Sequence, residues 1–180
     1  MILSTVYAVI RGTAVSNEDA PSGNQVELIE RALERAGFAA DSLSYIEANG
    51  IGSPTADAAE VKALTAALRR HTEQVGFCTI GSVKPNIGHL DSAAGMAGLI
   101  KTILMLQHRM LVPTINVTDP NPALALDGSP FVIGTDTREW TVPLQSRGTT
   151  LRAGVSALDP SGMNAHVILE EAPAEPVEAA

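Results

Sequence analysis

Phe77-Cys78-Thr79-Ile80-Gly81-Ser82-Val83 runs into Lys84-Pro85-Asn86-Ile87-Gly88-His89-Leu90 and then into Asp91-Ser92-Ala93-Ala94-Gly95-Met96-Ala97-Gly98-Leu99-Ile100-Lys101-Thr102-Ile103-Leu104. The first part reads as a strand. The second forms the junction between that strand and a helix. The third is a helix apolar almost all round, with Asp91 or Ser92 placed to cap it. Such a helix is expected to lie buried between layers, its glycines admitting another backbone at close range.

Outward from this centre, strands and helices alternate. Val6–Arg11 reads as a strand ending at Gly12, and Ser16–Gly23 as a loop. Ser22 and Gln25 have capping-box spacing for a helix with Val26, Ile29, Leu33 and Ala36 on its apolar stripe. Glu27 and Arg31 are spaced to pair on that helix, and Gly37 ends it. Leu43–Ala48 is the next strand. A Gly/Ser/Pro loop leads to a helix striped by Val61, Leu64 and Leu68, with Asp57 and Glu60 at capping-box spacing. Val112–Leu126 is an irregular connection. Phe131–Ile133 and Glu139–Val142 read as short strands, and Leu151–Ser156 and Ala165–Leu169 as a central pair joined by a turn at Leu158–Gly162. Ala172–Ala180 has the composition of a disordered tail. The expected class is α/β, layered around a mixed central sheet.

Composition narrows the functional classes. Apolar residues make up 45% of the 180, but aromatics only 3%, so the core is aliphatic. A mean hydropathy of +0.14 hints at a face that something else covers. The longest apolar stretch contains Lys101 and is too short to span a bilayer. Met1–Ser4 lacks the basic start of a signal peptide, so a cytoplasmic location is expected. One cysteine, Cys78, excludes an internal disulfide and a thiolate zinc cluster. It reads as a packed strand residue, His166 as structural, and His71 and His108 as surface groups. A net charge of −8 argues against nucleic acid as a partner. The basic pairs Arg69-Arg70 and His108-Arg109 suit helix C-termini.

Three segments together carry a family resemblance. Glu47-Ala48-Asn49-Gly50-Ile51-Gly52-Ser53-Pro54 resembles the β-ketoacyl synthase (ketosynthase) loop E-A-H-G-T-G-T-P, and Ser82–His89 resembles S-V-K-S-N-I-G-H. Arg152-Ala153-Gly154-Val155-Ser156, with Asn164–Glu170, resembles the family's final strand pair. The resemblance spans Val6–Glu171, so residues 1–171 are expected to form one domain. It implies the C-terminal half of a thiolase-like αβαβα fold, without the half that bears the nucleophilic cysteine. Such a chain is not expected to elongate acyl groups alone.

The family condenses acyl groups delivered on the phosphopantetheine of a carrier protein, and no further cofactor or metal is expected. The resemblance implies catalytic positions at His89 and Lys84, and at Asn49, which replaces a histidine. An amide donates a hydrogen bond but cannot titrate near neutrality, so enolate stabilisation is expected to fail while acyl transfer survives. Substrate-binding positions are implied at Ser53, Asn86, Pro160, Ser161 and Gly162. Ile51 removes a family hydroxyl, and Asp159-Pro160 replaces a glycine-rich gate, which is expected to be stiffer for it. The implied partners are an N-terminal ketosynthase half or another polyketide synthase chain and an acyl carrier protein, in a homo- or hetero-oligomer. The alternative is a non-catalytic interaction protein, or an inactive fragment.

Overall fold

The computed structural model describes residues 5–17, 23–142, 150–159 and 161–173. Ser22, Pro160 and most of the expected tail, residues 174–180, lie outside the described residues. The elements are β1 (Ala8–Asn17), α1 (Gly23–Ala36), β2 (Tyr45–Glu47), α2 (Pro54–Arg69), β3 (Cys78–Gly81) and the single turn α3 (Lys84–Ile87). They continue with α4 (Ala94–His108), β4 (Met110–Leu111), β5 (Phe131–Ile133), β6 (Arg138–Glu139), β7 (Arg152–Leu158) and β8 (Met163–Glu171).

Six strands form one mixed sheet in the order β1-β8-β7-β2-β3-β5, while β4 and β6 form a small antiparallel ribbon. β8 runs antiparallel to both its neighbours, β1 and β7, whereas β7, β2, β3 and β5 are mutually parallel. Alternation along each strand sends side chains to two cores. Ile46 and Ile168 join Leu28, Leu33, Leu64 and Leu68 of α1 and α2 on one face. Tyr45 and Leu169 join Met105 and Leu106 of α4, with Trp140, on the other. The sheet is thus sandwiched between α1/α2 and α4.

Four expectations are corrected. β1 runs on to Asn17 rather than stopping at Gly12, and it changes register between Ile10 and Gly12. Gly12 marks close packing instead of a strand end: a Cβ there would lie 2.2 Å from the Ala32 carbonyl oxygen of α1. Glu27 pairs with Arg70, the C-cap of α2, at 2.9 Å, leaving Arg31 to donate to the Val15 carbonyl at 3.1 Å. Tertiary partners outcompete the weak pairing along a helix. α2 is capped by Ser53, whose Oγ accepts from Ala56 N, and not by Asp57 with Glu60. Neither Asp91 nor Ser92 caps α4, which starts at Ala94 after a 3-10 turn without a side-chain cap.

α4 departs furthest from its expected burial. Gly98, Thr102, Met105 and Leu106 are buried against the sheet, but Met96, Ile100 and Leu104 are 58%, 52% and 47% exposed. Among the described residues, nothing covers that stripe. No helix of the described chain is long and apolar enough to cross a membrane.

Candidate functional site

The parallel strands β2 and β3 end side by side, with Glu47 opposite Gly81. The loops that follow them therefore emerge together, and they carry Asn49 and Lys84. Ends of adjacent parallel strands are where layered α/β folds place ligands.

Asn49 is 9% exposed and held from two directions. Glu60, buried on α2, accepts from Asn49 N at 2.7 Å and from Gly50 N at 2.9 Å. From the other side, the Lys84 ammonium donates to the Asn49 carbonyl oxygen and, at 3.1 Å, to its side-chain Oδ1. With Oδ1 engaged, the amide's Nδ2 is left as a donor, and it makes no hydrogen bond with a described residue. Burial lowers the Lys84 pKa, opposed by the charges of Glu60, Glu47 and Asp57. Burial pushes the Glu60 carboxyl up to about 7 against the two amide bonds that lower it. Asp57 is raised for the same reason, and its Oδ1 is buried without a hydrogen-bond partner.

His89 is exposed on the loop between α3 and α4. Its Nδ1 accepts from Asp91 N at 3.0 Å, which places the proton of the neutral ring on Nε2. Asp91 adopts φ 47 to present that amide, a left-handed conformation that Asp tolerates better than most residues. The structure thus joins Asn49 to Lys84 directly, while His89 makes no hydrogen bond or ion pair with either.

The expected substrate-binding positions divide. Ser53 is committed to capping α2, with Thr55 Oγ1 3.4 Å away. Asn86 is exposed on α3, its backbone N donating to Val83 O at 2.9 Å. Ser161 is tied to Asp159 Oδ1 through its N at 2.8 Å and its Oγ at 2.5 Å, and Gly162 turns the chain at φ 89. Those bonds hold the Asp159 carboxyl below its ordinary pKa. A cavity of about 440 Å³ lies behind the Asn49 loop, reached by Gly50, Asp57, Glu60, Ser82, Thr114 and Asn121. Among the described residues, no group of three or more His, Cys, Asp or Glu is arranged to hold a metal ion.

Sequence reasoning missed Glu60 as a member of the site, because its spacing from Asp57 imitates a cap. The better signal was its place two turns into a helix whose neighbouring residues Val61 and Leu64 are core. A carboxylate buried there needs amide donors. Cys78 is fully buried and its thiol is pushed up by burial, which suits a packed strand residue. His166 is buried on β8, Nδ1 3.0 Å from Ser156 Oγ, and His71 binds both carboxylate oxygens of Glu30 at 3.0 and 3.1 Å.

Residues 7–118 match the family described as beta-ketoacyl synthase, C-terminal domain. The chain is 43% identical over 178 residues to polyketide synthase PksM of Bacillus subtilis, covering 92% of this chain and 4% of that protein. It is 39% identical over 176 residues to polyketide synthase GfsA of Streptomyces halstedii, covering 93% and 2%. Among solved structures, it resembles the oxazolomycin ketosynthase domain OzmH KS7 of Streptomyces albus, with a TM-score of 0.89 and 41% identity over 98% of this chain and 32% of that one. It also resembles the ketosynthase from module 6 of the bacillaene synthase of Bacillus subtilis, with a TM-score of 0.88 and 36% identity over 95% and 33%. The chain thus spans about a third of these ketosynthase chains and a small part of the synthases.

Proposed function

The chain belongs to the β-ketoacyl synthase C-terminal domain family of polyketide synthases, and we propose that it supplies the Asn49–Lys84–His89 side of an acyl-thioester site. The cysteine-bearing N-terminal portion of a ketosynthase provides the other side, and an acyl carrier protein delivers the substrate. In this reading the assembled site transfers acyl groups and condenses them poorly. The observation that carries it is the Lys84 ammonium bound to both oxygens of Asn49, which leaves Nδ2 as a single neutral donor.

A neutral donor holds a thioester carbonyl. An enolate needs more, because charge develops on the oxygen during decarboxylation and a stronger, preorganised donor stabilises it better. His89 still offers Nε2–H, so one imidazole remains where the family pattern has two. Loading on cysteine depends on the thiolate and the oxyanion hole of the other portion, and is spared.

The experiment reconstitutes the chain with a cysteine-bearing ketosynthase N-terminal portion and follows acyl loading by intact mass spectrometry and malonyl decarboxylation by product release. Loading with little decarboxylation is expected. Asn49→His should raise decarboxylation at least about 100-fold, the scale of one electrostatic group at a developing oxyanion. An unchanged rate with loading intact overturns the role given to Asn49. A second reading, a non-catalytic interaction module, draws on the Asp159–Ser161 lock at the β7–β8 turn. A complex that forms and never loads would favour it.

A further inference from the structure

Glu47 is 2% exposed at the end of β2, yet it lies outside the amide–ammonium pair described above. Its Oε2 receives Lys101 Nζ of α4 at 2.8 Å and Tyr45 OH at 2.5 Å. Lys101 also donates to Tyr45 OH at 2.9 Å, which closes the three groups into one network. Oε1 faces the other way and accepts from Val83 N at 2.6 Å. The carboxylate fits because position 98 is glycine: a Cβ there would meet Glu47 Cγ at 2.9 Å.

An ion pair this deeply buried adds little net stability compared with apolar packing, and breaking one side of it costs much. Its value lies in geometry. Val83 immediately precedes Lys84, and its amide is the single point at which Glu47 touches the loop bearing that lysine. We propose that Glu47 is a positioning residue, its carboxylate tying α4 through Lys101 to the Val83 amide and thereby holding Lys84 on Asn49. The outer face of the same helix carries the uncovered Met96–Ile100–Leu104 stripe. Packing on α4 is therefore felt at Lys84 through one carboxylate. The functional weight of this coupling rests on the acyl-site reading, but the coupling is a property of the chain itself.

The test uses the chain's three lysines, Lys62, Lys84 and Lys101. Each is trace-acylated from neutral to alkaline pH, and peptide mass spectrometry gives the midpoint of each one's reactivity. In the parent, Lys84 should titrate below the ordinary lysine range, as its burial lowers it. Val83→Pro deletes the amide proton without touching any charge, and the native φ of −80 suits proline. It should raise the Lys84 midpoint to the ordinary lysine range. Glu47→Gln keeps an acceptor for Val83 N and should leave Lys84 lowered. Should Val83→Pro fail to fold, Gly98→Ala pushes on Glu47 Cγ with every charge kept and should also raise the Lys84 midpoint. A Lys84 midpoint unmoved in a folded Val83→Pro chain, or in a folded Gly98→Ala chain, overturns the proposal. Failure of acyl loading in the reconstituted enzyme would leave this result standing and remove only the acyl-site reading.

Discussion

Glu60 and His166 are both buried, and burial drives their titrations in opposite directions. Glu60 rises from 4.5 to about 7, so the folded chain holds a proton that the unfolded chain has already released. Between those values the folded state binds more protons, and stability falls as pH rises. His166 drops from 6.5 to about 4 with no acid beside it, its Nε2 lacking a hydrogen-bond partner. Between those values the unfolded state binds more protons, and stability rises with pH. From pH 4.5 to 6.5 the two effects cancel, each reaching about 3 kcal/mol at full extent. Glu60→Gln removes one of them. Relative to the parent, it should gain about 3 kcal/mol between pH 4.5 and 7 in equilibrium urea unfolding, from a lower start because the amide accepts one backbone N–H and not two. A difference that stays constant across that window would place the Glu60 titration elsewhere. Asn49, Lys84 and His89 could be named as candidates from the sequence because their neighbours resemble short motifs, and the structure brings the first two together. Glu60 and Glu47 were not legible, since the partners of a buried carboxylate are backbone amides from distant loops, which no spacing rule announces.

At the level of elements, glycine sets how closely helices approach the sheet. Gly12 lets β1 pass under α1, where a Cβ would strike the Ala32 carbonyl oxygen at 2.2 Å and Ala36 N at 2.8 Å. Both are backbone atoms inside a helix and cannot swing aside. Gly12→Ala should therefore cost about 3 kcal/mol or more, as a shift of α1 from the sheet. Gly98→Ala meets the side chain of Glu47 instead, and a side chain can give way. It should cost less, about 1–2 kcal/mol by thermal unfolding, while moving the Lys84 midpoint as Val83→Pro does. Equal costs for the two variants would mean that α1 and α4 yield alike. Order and type of the main elements followed from periodicity. The ends were less legible: Gly12 reads locally as a stop, and only its packing on α1 reveals continuation to Asn17. The α1 ion pair failed for a related reason, since Glu27 finds Arg70 across a helix–helix contact that local spacing does not encode.

The whole molecule leaves one large element half finished. The inner face of α4 is anchored by Thr102, Met105 and Leu106, and its outer face presents Met96, Ile100 and Leu104 one turn apart. Leu90, 41% exposed on the His89 loop, and Ile87, 53% exposed at the end of α3, precede the helix. Isolated exposed apolar residues are ordinary, but a stripe along a helix is a surface to be covered. This chain spans about a third of the ketosynthase structures it matches, so they have chain left over to provide that cover. Expressed by itself, the 180-residue chain should hide the stripe by self-association, visible as concentration-dependent mass in light scattering coupled to size-exclusion chromatography. Ile100→Lys with Leu104→Gln should shift it to monomer. Both side chains point away from the sheet, so each change should cost no more than about 0.5 kcal/mol of folding stability. The same variant should lose affinity for the cysteine-bearing N-terminal portion if that portion packs on α4. A parent chain that stays monomeric at all concentrations would mean that the stripe is tolerated in water. Retained pairing in the variant would place the joining surface elsewhere, for example along β1, where Ile10 and Val15 are 58% and 63% exposed.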